Sequence, residues 1–371
     1  MEKLIVLDTE CYPNYWLISF KSLSNGKVVL IDTKSKLTSE QKIQLKRIMS
    51  NQVTFGFNSI HYDLPMIQAA LNDYDVKMLY KLSKKIVNGQ PYFVTYKQMG
   101  VVPPNYNHFD IKEPAPAVMI SLKNYGTRVG SKKLWDLPYD PNKSITDSEI
   151  DNLKAYCEND LDTTIDLYNA IKDRIQLRID MQNEMYKGIG DLRSKSDAQV
   201  AEAIFKFELA KKNVKIPYVE ASKRLKSSVT YTCPDFIVFK SDELNKLRDM
   251  FDGATFKINQ GTGQPILPKE WGKLLKPTID GTVYKLGLGG IHSQEKRLAI
   301  ESNDKFVLRN ADVASYYPSM ILEFGLYPKS LGKKWLDIYR NVYITRLEAK
   351  RKASELSKEI KKLEKQLGNM V

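Results

Sequence analysis

Runs of apolar residues predict four short strands near the start of the chain. Residues 3–7, a lysine followed by four apolar residues, form a run that is typical of a buried strand. Residues 15–20 and 27–31 flank a Ser-Asn-Gly turn, so the first three runs predict a meander of three strands. Residues 53–57 predict a fourth strand.

Helical periodicity predicts helices between and after these strands. Residues 39–49, 63–71 and 147–172 carry apolar residues at helical spacing. Thr38 or Ser39 is a candidate cap for the first helix, and a capping-box spacing precedes the last one. The order of three strands, helix, strand, helix and later helix is similar to that of an RNase H-like α/β domain.

The pattern is less regular beyond residue 173. Residues 174–185 and 198–211 predict helices, whereas 257–281 are rich in Gly and Pro and predict a loop. Residues 306–312 predict a strand that ends on Asp312, and Pro318 suits the first turn of a short helix after it. A long basic helix is predicted over residues 334–367, with an apolar stripe formed by Leu356, Ile360, Leu363 and Leu367.

Composition favours a polyanionic partner and a reducing compartment. The chain has 57 Lys and Arg against 44 Asp and Glu, a net charge of +13, which suits nucleic acid as well as a solvated basic surface. Its three cysteines, Cys11, Cys157 and Cys233, have no metal-site or disulfide spacing. No apolar run has the length of a membrane span. We therefore expect a soluble, cytoplasmic protein without membrane contact, located in the host cytoplasm if it is viral.

Acidic residues occur at three positions that this element order would bring together. Asp8 and Glu10 are two apart at the end of the first strand and share a face, whereas Thr9 faces away. Asp63 begins the second predicted helix, and Asp160 lies on the helix over residues 147–172. Each motif alone also fits a solvated strand end, a charge at a helix start or a polar helix surface.

Taken together, the acids resemble the 3′→5′ proofreading exonucleases of the DEDD type with a tyrosine. Tyr156 lies four residues before Asp160, on the same helical face, as in that family's third motif. The resemblance covers about residues 1–190. It also implies contacts with a single-stranded 3′ end through the following residues: Thr9, Asn58, Tyr62, Ser121 and Leu122, the last two with Tyr125 in a Ser-Leu-x-x-hydrophobic segment.

The resemblance implies a site for two Mg²⁺ or Mn²⁺ ions, which prefer carboxylate and water oxygens. Asp8 would bridge the ions, Glu10 and Asp160 would complete one site, and Asp63 would hold the other ion through water. Tyr156 would orient the attacking water.

A second motif lies near the C-terminal end, at residues 312–319, with the sequence Asp-Val-Ala-Ser-Tyr-Tyr-Pro-Ser. It resembles the first palm motif of family-B DNA polymerases, with Tyr316 in place of the commoner Leu. The resemblance implies that the Asp312 carboxylate and the Val313 carbonyl hold a metal ion under a deoxynucleoside triphosphate. Ser315 and Tyr316 would lie against the triphosphate, and Tyr317 would exclude a 2′-hydroxyl. A strand-turn-helix corner with packed tyrosines is the alternative.

Two further segments fit the same family. Gly289 and Gly290 belong to a Gly-rich stretch that resembles a loop contacting DNA in some bacteriophage enzymes, and a plain β-turn fits equally well. The long basic helix is similar to the first helix of the fingers. Arg346 and Lys350 are four apart on it, so they face a triphosphate together or belong to a solvated basic surface.

These resemblances predict an N-terminal portion of a bacteriophage-type family-B DNA polymerase that acts on a primer-template. The expected division is an exonuclease domain (1–190), a connecting region (191–305), a palm strand with its motif (306–330) and a fingers helix (331–371). Because the second palm carboxylate does not follow, we expect a second polypeptide or a longer chain to supply the rest of palm, fingers and thumb. The alternative is a stand-alone 3′→5′ exonuclease with a vestigial DNA-binding remnant.

Overall fold

Two units divide the chain, Met1–Asn213 and Val214–Val371. The computed structural model describes residues 4–89, 92–116, 120–217, 226–287, 290–295 and 299–368. The chain is a mixed α/β protein with many helices.

A five-stranded mixed sheet forms the centre of the first unit, in the order β3-β2-β1-β4-β5. The pairs β1–β2 and β2–β3 are antiparallel, whereas β1–β4 and β4–β5 are parallel. The strands are β1 (Leu4–Tyr12), β2 (Tyr15–Ser22), β3 (Val28–Thr33), β4 (Val53–Gly56) and β5 (His108–Asp110).

Helices cover both faces of this sheet because successive β1 side chains point to opposite faces. Leu7 and Cys11 pack in a cluster with side chains of α1 to α3, whereas Val6 and Tyr12 pack in clusters that include α6. The helices of the first unit are α1 (Ser39–Asn51), α2 (Asp63–Leu71), α3 (Val76–Val87), α4 (Tyr92–Met99), α5 (Leu122–Val129), α6 (Ile150–Asp180) and α7 (Asp197–Lys211).

Most of the predicted elements of this unit are confirmed. Thr38 caps α1 in a capping box, and the Thr146 N–H donates to Glu149 Oε2 at 2.6 Å before α6. Two predictions need correction. The first strand does not end at Asp8-Thr9-Glu10, because antiparallel pairing with β2 extends β1 to Tyr12. The helices predicted over 147–172 and 174–185 are one helix, α6, which ends in a π-helical turn at Met181–Met185.

The described residues of the second unit form two small sheets and three α-helices. An antiparallel pair, β6 (Ser228–Thr230) with β7 (Thr255–Lys257), is separate from a three-stranded sheet. That sheet contains β8 (Thr278–Ile279), β9 (Thr282–Gly287) and β10 (Gly290–Ser293). The helices are α8 (Asp242–Phe251), α9 (Tyr316–Glu323) and α10 (Lys333–Gly368).

One prediction for the second unit is wrong. Residues 306–312, all of which the structure describes, form no strand, and only an isolated bridge joins Phe306 to Asn303. Val307 is 72 % exposed, so no strand or helix of the described residues covers its side chain. The short helix with Pro318 in its first turn is confirmed as α9, and the long basic helix is confirmed as α10. Residues 257–281 contain β8 and a short 3-10 helix besides loops.

No helix of the described segments combines the length and the apolar composition that crossing a bilayer requires.

Candidate functional site

Asp8 and Glu10 lie where β1 runs past the end of β4. Parallel pairing with β4 stops at Val6, whereas pairing with β2 continues to Tyr12. The side chains between Val6 and Tyr12 on the same face therefore point toward α6. Both carboxylates are half-buried. The sheet thus places two acids on the face that α6 covers.

Helix α6 brings three side chains to these acids. Cys157 is fully buried, and its Sγ lies 3.6 Å from Asp8 Oδ2. One ligand atom each of Asp8, Glu10 and Cys157 lies within 4.8 Å of the others, so these residues form a group that can hold a metal ion. Tyr156 and Asp160 flank this cysteine on the helix, and the Tyr156 hydroxyl interacts with the Asp160 carboxylate.

Asp63 reaches β1 from the opposite face of the sheet. It is buried as the first residue of α2, and its Oδ1 accepts a hydrogen bond of 2.6 Å from Thr9 Oγ1. Thr9 faces away from Asp8 and Glu10, as its position on the strand predicts. This contact fixes the Asp63 carboxylate beside β1, and Thr9, which the resemblance assigned to DNA, serves in the structure as the hydrogen-bond donor to an acid.

The charged forms of the Asp8 and Glu10 carboxylates are strongly disfavoured. Burial, and then the neighbouring Asp63, Glu10 and Asp160, raise the pKa of Asp8 well above its usual range. Burial, followed by Asp160 and Asp63, does the same to the pKa of Glu10. Asp63 and Asp160 therefore lie near enough to Asp8 and Glu10 to disfavour their charged forms, a situation that a bound cation relieves.

The other two carboxylates are shifted less. Burial raises the pKa of Asp63 to about 7, although the hydrogen bond from Thr9 acts to lower it. Burial raises the pKa of Asp160 to about 6, while Tyr156 and the Lys123 ammonium act in the opposite direction. The pKa of Tyr156 is raised by burial and by Asp160, so its hydroxyl stays protonated. The Asp162 carboxylate is paired with Lys21.

The predicted single-strand contacts lie on two elements of the first unit. Ser121 caps α5, accepting from the Asn124 N–H at 3.3 Å, and Leu122 begins that helix half-buried. Asn58 lies in the turn before α2, where its Oδ1 accepts from Lys112 Nζ at 2.9 Å. The Tyr62 hydroxyl is hydrogen-bonded to Ser83 at 2.8 Å.

Two residues that contact this turn, and one on α6, were not predicted from the sequence. Asp110 is 3 % exposed at the end of β5, and its carboxylate accepts backbone N–H groups of the turn. His108 is buried and bridges Thr54 and Ser59 through its two ring nitrogens. Cys157 was seen only as an unpaired thiol. Asp110 follows an apolar residue at the end of β5. A strand of three residues is too short for hydrophobic periodicity to predict it, so this signal was not recognised.

In the second unit, the motif of residues 312–319 lies at the start of α9. Asp312 and Val313 are exposed in irregular backbone. Ser315 has a left-handed backbone conformation with φ of 52°, directly before α9. The rings of Tyr316 and Tyr317 lie 5.5 Å apart, and both side chains are exposed.

Arg346, one of the predicted nucleotide contacts, is hydrogen-bonded to this motif. Arg346 Nη1 on α10 donates a hydrogen bond of 3.0 Å to Ser315 Oγ. Lys350 is exposed one turn further along the helix. Gly290, the first residue of β10, pairs with Gly287 of β9 and has a φ of 144°. The prediction for Gly289 lies outside the described residues.

Comparison with known proteins gives no family. No protein-family model matches the chain, and no curated protein matches it.

Proposed function

We propose that the first unit is a metal-dependent 3′→5′ exonuclease of the DEDD type with an RNase H-like fold. The observation that carries this proposal is the group around Asp8 and Glu10 on β1, which can hold a metal ion. Asp63 of α2 and Asp160 of α6 lie near enough to this group to raise the pKa of both acids. The strand order β3-β2-β1-β4-β5, with helices on both faces, supports the fold assignment.

The carboxylates of this site fit hard divalent cations, and burial raises the pKa of the neighbouring Cys157 thiol so that it stays protonated. Carboxylate oxygens are the ligands that Mg²⁺ and Mn²⁺ prefer, and the like charges around Asp8 and Glu10 raise the pKa of both acids, an effect that a bound cation would counter. Asp8 and Glu10 with Asp160 would hold one ion, and Asp63 would hold a second beside Asp8. Two such ions, when bound, activate a water and stabilise the leaving 3′-oxygen of a phosphodiester.

The remaining side chains have positioning roles. The protonated Tyr156 hydroxyl beside Asp160 orients a water by donating or accepting a hydrogen bond. Thr9 fixes the rotamer of Asp63 through its short hydrogen bond. Ser121 and Leu122 at the start of α5, with Asn58 before α2, offer contacts for the single-stranded 3′ end.

The test is digestion of a 5′-labelled single-stranded oligonucleotide in the presence of Mg²⁺ or Mn²⁺. We expect shortening from the 3′ end, which stops on addition of a chelator. Asp8→Ala should lower the rate by more than about a hundredfold, because even the partners of metal ligands are worth about 10–100-fold.

The matched control for this experiment is Asp162→Asn. Asp162 is exposed, lies two residues after Asp160 and is paired with Lys21, so its substitution should leave the rate within about twofold of the wild type. Equal rates for Asp8→Ala and the wild type, or digestion from the 5′ end, would refute the exonuclease proposal.

For the second unit, we propose the beginning of a family-B polymerase palm and fingers that binds a deoxynucleoside triphosphate and a primer-template. The hydrogen bond between Arg346 and Ser315 supports this, since it joins the two segments that the family uses around a triphosphate. The alternative is that this unit only contributes to DNA binding of the exonuclease.

Binding of a fluorescent deoxynucleoside triphosphate with Mg²⁺ to the full chain tests this proposal. Arg346→Ala should weaken binding about tenfold, because it removes a charge-assisted contact with phosphate. Arg351→Ala is the matched control, since Arg351 is exposed on the same helix and interacts with Glu355 at 3.9 Å. Equal losses in both variants would show that only the overall charge of α10 matters and would leave the DNA-binding alternative.

A further inference from the structure

A tight turn over residues 57–62 joins β4 to α2 and therefore determines where Asp63 lies. The Ser59 carbonyl accepts the Leu64 N–H at 2.9 Å, which ties the turn to the first residues of α2. Asn58 adopts a φ of 60°, a left-handed conformation that is unfavourable for a residue with a Cβ. Such a backbone persists only where its surroundings hold it.

The Asp110 carboxylate supplies one set of restraints from the neighbouring strand. Its Oδ1 accepts the Asn58 N–H at 2.9 Å, and its Oδ2 accepts the Ile60 N–H at 3.0 Å. Its Oδ1 also accepts the Lys112 N–H at 2.9 Å. Hydrogen bonds to a buried carboxylate are strong, so Asp110 restrains both sides of the strained residue.

His108 supplies a second restraint two residues earlier on β5. Its Nε2 lies 2.8 Å from Ser59 Oγ, and its Nδ1 lies 2.9 Å from Thr54 Oγ1 on β4. Ser59 is fully buried, and a Cβ on Gly56 would lie 2.7 Å from the Ser59 Cβ, so this residue fits against β4 without spare room. His108 therefore fixes the residue between the two N–H groups that Asp110 binds.

We propose that Asp110, assisted by His108, is a positioning residue that holds the 57–62 turn so that Asp63 meets Asp8 and Glu10. The inference rests on the metal-dependent function proposed above and adds a residue to it. Asp110 restrains the backbone on the N-terminal side of Asp63, and Thr9 restrains its carboxylate. Loss of the Asp110 contacts lets the turn leave its strained conformation and moves Asp63 away from the ion that it shares with Asp8.

The test measures Mn²⁺ binding to the intact chain without DNA, by titration calorimetry. Asp110→Asn keeps the size of the side chain but puts an amide group opposite one backbone N–H. We expect this variant to bind Mn²⁺ about 10–100-fold more weakly, the usual effect of removing a residue that orients a metal ligand. His108→Asn, which removes a restraint without changing a carboxylate, should weaken binding in the same direction.

A double-mutant cycle separates positioning from a direct effect on the ion. If Asp110 acts through Asp63, Asp110→Asn should add little to Asp63→Ala, so the two losses are not additive. Additive losses would overturn the proposal, because Asp110 would then act on the ion directly.

The control for a general loss of stability is Asn14→Ala. Asn14 holds backbone groups of Ile145 through two hydrogen bonds, of 2.8 and 3.0 Å, in another loop of the same unit. This variant should lose thermal stability but keep its Mn²⁺ affinity. Wild-type affinity in Asp110→Asn and His108→Asn would overturn the positioning role while leaving the exonuclease proposal intact. Absence of Mn²⁺ binding by the wild type would instead overturn the proposed function, and the positioning role with it.

Discussion

Folding raises the pKa of two carboxyl groups of the candidate site, those of Asp63 and Asp160. The Asp63 carboxyl is buried, with Thr9 as a donor, and the Asp160 carboxyl is half-buried beside Tyr156. Burial dominates in both, so their pKa values of about 7 and about 6 lie above the usual value for aspartate. The protonated forms of these residues therefore favour the folded state of the metal-free protein.

We predict that the metal-free protein loses stability as the pH rises from about 4 to about 7. Over this range the folded state keeps protons on Asp63 and Asp160 that the unfolded chain has released, so the free energy of unfolding decreases with pH. Asp63→Asn keeps an acceptor for Thr9 and should raise the melting temperature at pH 8 by a few degrees, equivalent to about 1–2 kcal/mol. Thermal melts at pH 5 and pH 8 with a chelator measure this.

Asp173→Asn is the control, because Asp173 is exposed on the same helix as Asp160. Its pH dependence should match that of the wild type. Millimolar Mn²⁺ at pH 8 should stabilise the wild type but have a smaller effect on Asp63→Asn, since a ligand that binds only the folded state stabilises it. A pH profile that Asp63→Asn leaves unchanged would contradict the prediction.

At the scale of elements, long periodic segments were predictable and short ones were not. α6 has apolar positions at helical spacing over many turns. The sequence alone therefore predicts the helix and the position of Asp160 on it. β5 has three residues, and its pairing with β4 depends on residues more than 50 positions away in sequence. Asp110 contacts the 57–62 turn only because of that pairing, so no local sequence pattern predicts its role.

In the segment before α9, by contrast, the sequence predicted a strand that the structure does not contain. Residues 306–312 have the apolar content of a strand, yet strand formation requires a neighbour with free backbone groups. Within the described residues, Phe306 forms only an isolated bridge to Asn303, and Val307 and Val313 are exposed. Sequence preference identified a segment that can form a strand, while tertiary pairing decides whether it does.

At the scale of the whole molecule, the two units differ in the size of their cores. The first unit buries large clusters on both faces of its sheet. Beyond residue 213, only four hydrophobic side chains of the described segments are buried, and a cavity of about 970 Å³ is lined mostly by apolar side chains. Those four are Leu247, Phe256, Leu275 and Ile338. A unit that buries so little apolar surface gains little stability from it.

This difference predicts that residues 1–213 fold alone and keep the metal-dependent digestion, because the four acids and both clusters lie within them. The fragment should melt cooperatively, within about 4 °C of the corresponding transition of the full chain, a difference of about 1 kcal/mol for a domain of this size. Scanning calorimetry and oligonucleotide digestion measure both properties. In the full chain, Asp312→Ala should leave digestion unchanged, since Asp312 is exposed in the other unit. A fragment that melts without cooperativity, or that is folded but inactive, would show that the exonuclease depends on residues beyond 213.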